Sequence, residues 1–126
     1  MNWIFSYEPL PSYVANLSKK SHTMGLNSTQ DNLIVMMFAL RWTDAKYDIR
    51  MRQATVDWVA AVNQATQASG AFNPFLYLNY AGDFQDPLGG YGAANVKFMK
   101  QVAKKYNPEG VFQQLMPGGF KISQAG

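Results

Sequence analysis

The run from Leu33 to Trp42 constrains this chain more than any other segment, because it is apolar almost throughout and interrupted only by Arg41. Continuous apolar character, rather than alternation, marks a strand buried on both faces. Such a strand needs cover above and below and partners along its edges. Two further segments read as strands: Asn2 to Tyr7, rich in aromatics and ended by Pro9 and Pro11, and Phe75 to Tyr80. Three strands around a doubly buried member make a poor sheet on their own, so the chain is expected to be part of a larger body.

Helices fill the intervals. Pro11-Ser12 can open a short helix to about Ser18, since proline is accepted in a first turn. Ser21 to Asn32 reads as loop. Thr43-Asp44 supplies an N-cap for a long helix over Ala45 to Ser69, with Met51, Ala54, Trp58, Ala61 and Ala65 as its apolar stripe and Gly70 as its stop. Trp42 and Trp58 read as core. Ala81 to Gly92 reads as loop. Ala93 to Tyr106 reads as a helix with Val96, Met99, Ala103 and Tyr106 inward and Lys97, Lys100 and Lys104 outward, ended by Asn107-Pro108. Val111-Phe112 and Phe120 to Ile122 are short apolar anchors in an irregular tail. The fold class is α+β: a small, mainly antiparallel sheet covered on one face by helices. A sheet face left open would favour self-association.

Composition excludes several chemistries. At 126 residues the chain suits one small domain, burying about two thirds of its unfolded surface. The net charge of +3 is dispersed, with Lys19-Lys20 and Lys104-Lys105 as isolated pairs, so no basic face for nucleic acid emerges. The chain has no cysteine, which removes disulfides, thiolate catalysis and cysteine-ligated zinc. His22, the single histidine, reads as a solvated loop residue, and no metal site is expected. No apolar run reaches the ~18 residues of a membrane span, and the N-terminus lacks the pattern of a signal peptide. Asn16-Leu17-Ser18 and Asn27-Ser28-Thr29 are glycosylation sequons, relevant only to a secreted chain.

The chemistry-bearing feature is Phe75 to Tyr80, where Asn79 sits between Leu78 and Tyr80 in an otherwise apolar strand. A buried amide is costly unless its hydrogen bonds are met, so Asn79 marks either a structural network or a site. Tyr77 and Tyr80 are equally open to two readings, since tyrosines are common in strands. In a regular strand Tyr77 and Tyr80 point to opposite faces, so one pocket holds both only if the chain bends there, as Ala81-Gly82 would permit. Gly89-Gly90-Tyr91-Gly92 lacks the spacing of a phosphate-binding loop.

The motif Tyr77-Leu78-Asn79-Tyr80, followed by Gln85-Asp86-Pro87, Tyr91-Gly92, Asn95 and the stretch Lys104 to Phe112, resembles the C-terminal end of the berberine-bridge-enzyme-like FAD-linked oxidoreductases, fungal members in particular. The closing Pro117 to Lys121 fits the same ending, and the likeness is strongest over about 75–122. It implies that residues 1–126 are a C-terminal portion of a substrate domain, whose FAD-binding domain is a separate N-terminal part and the chain's partner. It further implies an oxidase or dehydrogenase of alcohols, sugars or secondary metabolites, with FAD as cofactor and a small-molecule substrate. Tyr80 would be the base that takes the substrate hydroxyl proton, with Tyr77 also in the catalytic set. Tyr77 and Asn79 would flank the flavin. The family often carries an acidic residue two positions after the second tyrosine; here that place is Gly82, with Asp83 one step later. Without its flavin domain the chain is expected neither to hold FAD tightly nor to turn over. The alternative is a catalytically inactive, stand-alone fold fragment or interaction module.

Overall fold

The computed structural model describes residues 1–17, 22–26 and 31–126. In chain order the elements are β1 (Asn2–Leu10), α1 (Ser12–Leu17), β2 (Leu33–Arg41), α2 (Asp48–Ala68), α3 (Ala93–Tyr106) and α4 (Val111–Gln114), with short 3-10 turns between them. β1 and β2 form a two-stranded antiparallel sheet, so the expected α+β class holds. The chain divides into two compact units, one of residues 1–9 and 34–73, the other of residues 10–33 and 74–126.

In the first unit the strands and α2 are joined by aromatic rings. Phe5 of β1 stacks on Phe38 of β2, with centroids 4.7 Å apart and planes within 15°. Both meet Trp58 of α2, at 5.7 and 5.0 Å, and Trp3 stands edge-on to Phe5 at 5.2 Å. α2 therefore covers one face of the sheet. Its inward stripe is Met51, Thr55, Trp58, Val59, Val62 and Thr66, whereas Ala54, Ala61 and Ala65 are exposed. The stripe is thus rotated from the expected alanine line. Two inward threonines are tolerated because their hydroxyls donate to Met51 O (3.0 Å) and Val62 O (2.9 Å), which removes the cost of burying them.

The ends of α2 are specified locally. Asp44 accepts the Lys46 N–H at 3.1 Å and caps a 3-10 turn over Ala45–Tyr47, so the α-helix starts three residues later than the cap suggested. Trp42 Nε1 donates to Asp48 Oδ1 at 2.6 Å, holding a carboxylate in the first turn, where the helix dipole favours it. At the other end Gly70 has φ +71° and donates to Gln67 O, while the Ala71 N–H reaches Thr66 O at 2.8 Å. That pair of bonds is a Schellman stop, with glycine supplying the left-handed residue.

Two expectations for the sheet fail. β1 runs through Pro9 to Leu10, which a strand with a free edge allows because proline's missing donor breaks no ladder there. β2 is not buried on both faces: none of its residues is fully buried, and Ile34 remains 63% exposed. With one neighbouring strand in the described residues, the apolar run has more hydrophobic surface than this sheet covers.

The second unit holds most of the fully buried residues: Ala15, Leu26, Pro87, Tyr91, Val96 and Ala125. α1 opens on Pro11, whose carbonyl accepts from Val14 and Ala15. His22 is half-buried and its Nδ1 accepts the Met24 N–H at 3.3 Å, so it is not the solvated residue expected. α3 matches its expected bounds and buries Val96 with Met99 and Ala103 partly covered, but Tyr106 lies 73% exposed. Lys97, Lys100 and Lys104 face outward, and Lys100 donates to Ala125 O at 2.8 Å, tying the tail to the helix. Val111 and Phe112 are exposed rather than anchored. The sequon at 27–29, the Ser18 of the other sequon and Lys19-Lys20 lie outside the described residues. Among the described residues, no helix is long and apolar enough to cross a membrane, and no group of three or more potential metal ligands occurs.

Candidate functional site

The segment 75–80 is not a strand. Residues 75–77 carry no regular element, Tyr77 is extended, and Leu78–Tyr80 closes into a 3-10 turn. The Tyr80 N–H returns to Tyr77 O at 2.9 Å and the Ala81 N–H to Leu78 O at 3.4 Å, so these backbone groups pair locally instead of in a ladder. An apolar-aromatic run carries the same hydrophobic signal in either conformation, and its length alone does not separate them.

The turn settles the geometry of the two tyrosines. Side chains three apart eclipse in a 3-10 turn, and the rings of Tyr77 and Tyr80 meet edge-to-face at 4.9 Å and 82°. Asn79 Nδ2 donates to Tyr77 Oη at 2.9 Å. Asn79 is exposed, so it is not the buried amide the strand reading implied; its hydrogen bond serves a neighbouring phenol. Tyr77 and Tyr80 remain 36% and 39% exposed, accessible to a ligand from outside the unit. All three sequence-derived site residues are therefore brought together on one turn.

Behind the turn stands Tyr91, which the sequence places in a glycine-rich loop and, with Gly92, in the motif of the resemblance, but not among the site residues. It is 7% exposed and stacks with Phe75 at 6.0 Å and 18°. Burial pushes its phenol above the ordinary tyrosine range, a hydrogen bond from the Leu78 backbone N–H opposes that shift, and the neighbouring Tyr77 phenol adds to it. The glycines around it were the available signal. A Cβ on Gly90 would sit 2.4 Å from Pro74 O, and one on Gly25 would sit 2.5 Å from Tyr91 O. Only glycine permits these approaches, and both lead to the segment carrying the pair.

The Gly89–Tyr91 turn offers no phosphate cradle. The Gly89 N–H goes to Asp86 Oδ1 at 2.8 Å, and the N–H groups of Gly90, Tyr91 and Gly92 go to Asp86 O, Leu88 O and Gly89 O. With the donors spent and a carboxylate beside them, an anion finds nothing to bind there. Asp83 is exposed beside Gly82, whose N–H donates to Gln85 Oε1 at 2.9 Å.

Chemically, the turn offers two accessible phenols and an amide. A phenol near pH 7 is a weak base, and the Asn79 amide fixes the Tyr77 oxygen by a hydrogen bond. This donor set suits one wall of a site for a flat, polar-edged ring such as a flavin. The Gly89–Tyr91 turn provides nothing for its phosphates.

No family model matches the chain, and no solved structure matches it significantly. Curated relatives do. The chain is 37% identical over 102 residues to the FAD-dependent monooxygenase sdcF of Emericella nidulans, covering 81% of this chain and 21% of that protein. It is 32% identical over 123 residues to the FAD-dependent monooxygenase drtC of Aspergillus calidoustus, covering 96% of this chain and 23% of that protein. It is also 34% identical over 127 residues to Oligopeptidase PhomG' of Diaporthe leptostromiformis, covering 98% of this chain and 10% of that protein. Fungal proteins named FAD-dependent monooxygenases are thus homologues of this chain. The chain spans less than a quarter of the length of these curated relatives.

Proposed function

We propose that this chain is a portion of an FAD-linked oxidoreductase of the berberine-bridge-enzyme-like kind, forming the substrate-side wall of its flavin site. The observation that carries the reading is the 3-10 turn that sets Tyr77 and Tyr80 edge-to-face with the Asn79 amide on Tyr77 Oη. The names of the homologues support FAD as the cofactor of the whole protein. The monooxygenase in those names shares with this reading only the flavin, and the reaction we propose is oxidation of an alcohol, sugar or secondary metabolite to a carbonyl.

Bound FAD would supply the two-electron acceptor. In the proposed reaction Tyr80 acts as its phenolate and takes the substrate O–H proton, becoming the neutral phenol, as hydride leaves the adjacent carbon, and Tyr77 lies against it. The Asn79 amide orients Tyr77 through the hydrogen bond to its oxygen. Both rings exclude water from one side of the reacting carbon. A separate FAD-binding domain or subunit is the partner that completes the pocket.

A second reading, an interaction module without catalysis, draws on the sheet, where Trp3 (57%) and Ile34 (63%) stay exposed. Reconstitution separates the two. The chain is combined with the flavin-bearing remainder of a relative from which the matching segment has been removed, and anaerobic bleaching of the flavin by a panel of alcohols is followed. Restored bleaching that Tyr80→Phe lowers by about 10²–10⁴-fold supports the base assignment. Bleaching unaffected by Tyr80→Phe sinks it, and a folded complex without bleaching favours the interaction module. The isolated chain is expected to purify colourless; stoichiometric flavin in it would overturn the two-part site.

A further inference from the structure

β2 pairs with β1 along one edge, and among the described residues no strand lies along its other edge. No turn or loop backbone among them bonds to residues 33–41 either. In a ladder every second residue points its N–H and C=O to one side, so the outer peptide groups of β2 have no ladder partner. Exposed edges of this kind are ordinarily blunted by lysine, proline or a bulge. From Leu33 to Leu40 β2 carries no charge, no proline and no glycine. β1 differs, because Glu8 and Pro9 stand near its end and proline has no N–H to offer an added strand. The unprotected edge is therefore that of β2.

The side chains agree with the backbone. Ile34 and Met36 share the face of Phe38, since side chains alternate along a strand, and Phe38 meets Trp58 of α2 at 5.0 Å. Yet Ile34 is 63% and Met36 38% exposed, so the cover that α2 gives stops short of them. Leu33, Val35, Met37 and Ala39, on the other face, are half-buried. A strand added at the outer edge would set its side chains beside these on both faces. Such a neighbour would make β2 a central strand, the place its uninterrupted apolar sequence suits.

We infer that the outer edge of β2 is a docking edge for an extended, apolar segment of the rest of a longer polypeptide, which adds to the sheet as a strand. Length points to that occupant. The relatives sdcF and drtC match 81% and 96% of this chain, yet the match is 21% and 23% of theirs, so more than three quarters of each lies outside it. The inference rests on the proposed reading of this chain as a portion of such a protein, and not on the roles given to Tyr77 and Tyr80. The segment it calls for carries apolar side chains on both faces, and its N–H and C=O groups meet those of β2.

Amide hydrogen exchange, read by mass spectrometry with fragmentation, tests this in two proteins: the 126-residue chain alone, and a chimera of drtC whose matching segment is replaced by it. In the chain alone, the amides of residues 33–41 are expected to alternate, those paired with β1 slow and those between them near the free-peptide rate. In the chimera the intervening amides are expected to slow by at least about tenfold, the effect of gaining one hydrogen bond. Unchanged intervening amides overturn the inference, as does new protection confined to the outer edge of β1. Should the chimera fail to fold, the chain alone decides: uniformly slow amides along β2 in a monomer mean that this chain covers its own edge, and that result overturns the docking edge. Uniformly slow amides in a chain that sediments as a dimer name a second copy as occupant and overturn it too. The chemistry of the tyrosines is read separately by Tyr80→Phe. Protected β2 amides together with bleaching unaffected by Tyr80→Phe would sink the base and leave the docking edge standing.

Discussion

Replacing Phe38 with leucine tests what joins α2 to the sheet. Leucine keeps most of the apolar bulk, so the change removes chiefly the stack on Phe5 at 4.7 Å and the tilted contact with Trp58 at 5.0 Å. Aromatic pairs contribute about 0.5–1.5 kcal/mol each beyond their buried area, which puts Phe38→Leu at roughly 1–3 kcal/mol. Trp58 is half-buried, and about half of the 3–5 kcal/mol typical of emptying a buried tryptophan site applies to it. The double variant isolates the Phe38–Trp58 pair, with an expected coupling of about 0.5–1.5 kcal/mol. Urea unfolding followed by tryptophan emission suits this measurement, because Trp3, Trp42 and Trp58 all belong to the first unit. With a slope of about 1–3 kcal/mol per molar urea, each kcal/mol moves the midpoint by roughly 0.3–1 M. A coupling below about 0.3 kcal/mol, the scatter of independent sites, would refute the claim that these rings hold helix to sheet.

Other predictions concern the second unit and the caps. Gly25→Ala meets both a left-handed backbone (φ +76°) and Tyr91 O at 2.5 Å, whereas Gly118→Ala (φ +73°) meets open space. The Gly118 change should cost only the backbone strain of about 1–2 kcal/mol, and Gly25→Ala distinctly more; equal losses in thermal unfolding would contradict the close approach. Burial, with a lesser contribution from Tyr77, raises the Tyr91 phenol, so the folded chain binds its proton more tightly than the unfolded one. Stability from this residue is whole below about pH 10 and declines as pH rises through the folded value, a limb that Tyr91→Phe should flatten in alkaline urea titrations. Asp44 is shifted the other way: the Lys46 side chain, then its backbone N–H, holds the carboxyl below its usual range. Its small contribution is present above the ordinary carboxylate pKa and fades as pH falls through the folded value; Asp44→Asn should keep the cap yet lose that acid limb in the same assay.

What the sequence disclosed followed from period and punctuation. β1, β2, α2 and α3 were legible because Gly70, Asn107-Pro108 and the flanking prolines mark ends that local backbone chemistry enforces. The stripe of α2 was misread because threonine counts as polar in a pattern, yet Thr55 and Thr66 carry their own hydrogen bonds inward. The burial of β2 was overstated because apolar content reports what a strand could cover, not what this chain supplies. At the site, Tyr77, Asn79 and Tyr80 meet one another, but the strand that should have carried them is a 3-10 turn. Tyr91 was named within the motif of the resemblance but given no role: a single tyrosine between glycines has no period, and its burial arises from Gly25, Phe75 and Asn95, which are distant in sequence or on another element.

The division of the chain into units has a consequence for its synthesis. The first unit needs residues 1–9 and 34–73, so all its parts precede residue 74. The second needs Ala125, which is buried, and its carbonyl, which receives Lys100; the Gly126 N–H also reaches Asp86 Oδ2 at 3.1 Å. On the ribosome, therefore, the sheet and α2 can settle while the second unit waits for residues 125 and 126. Their removal would fall on the second unit and leave the aromatic cluster of the sheet intact.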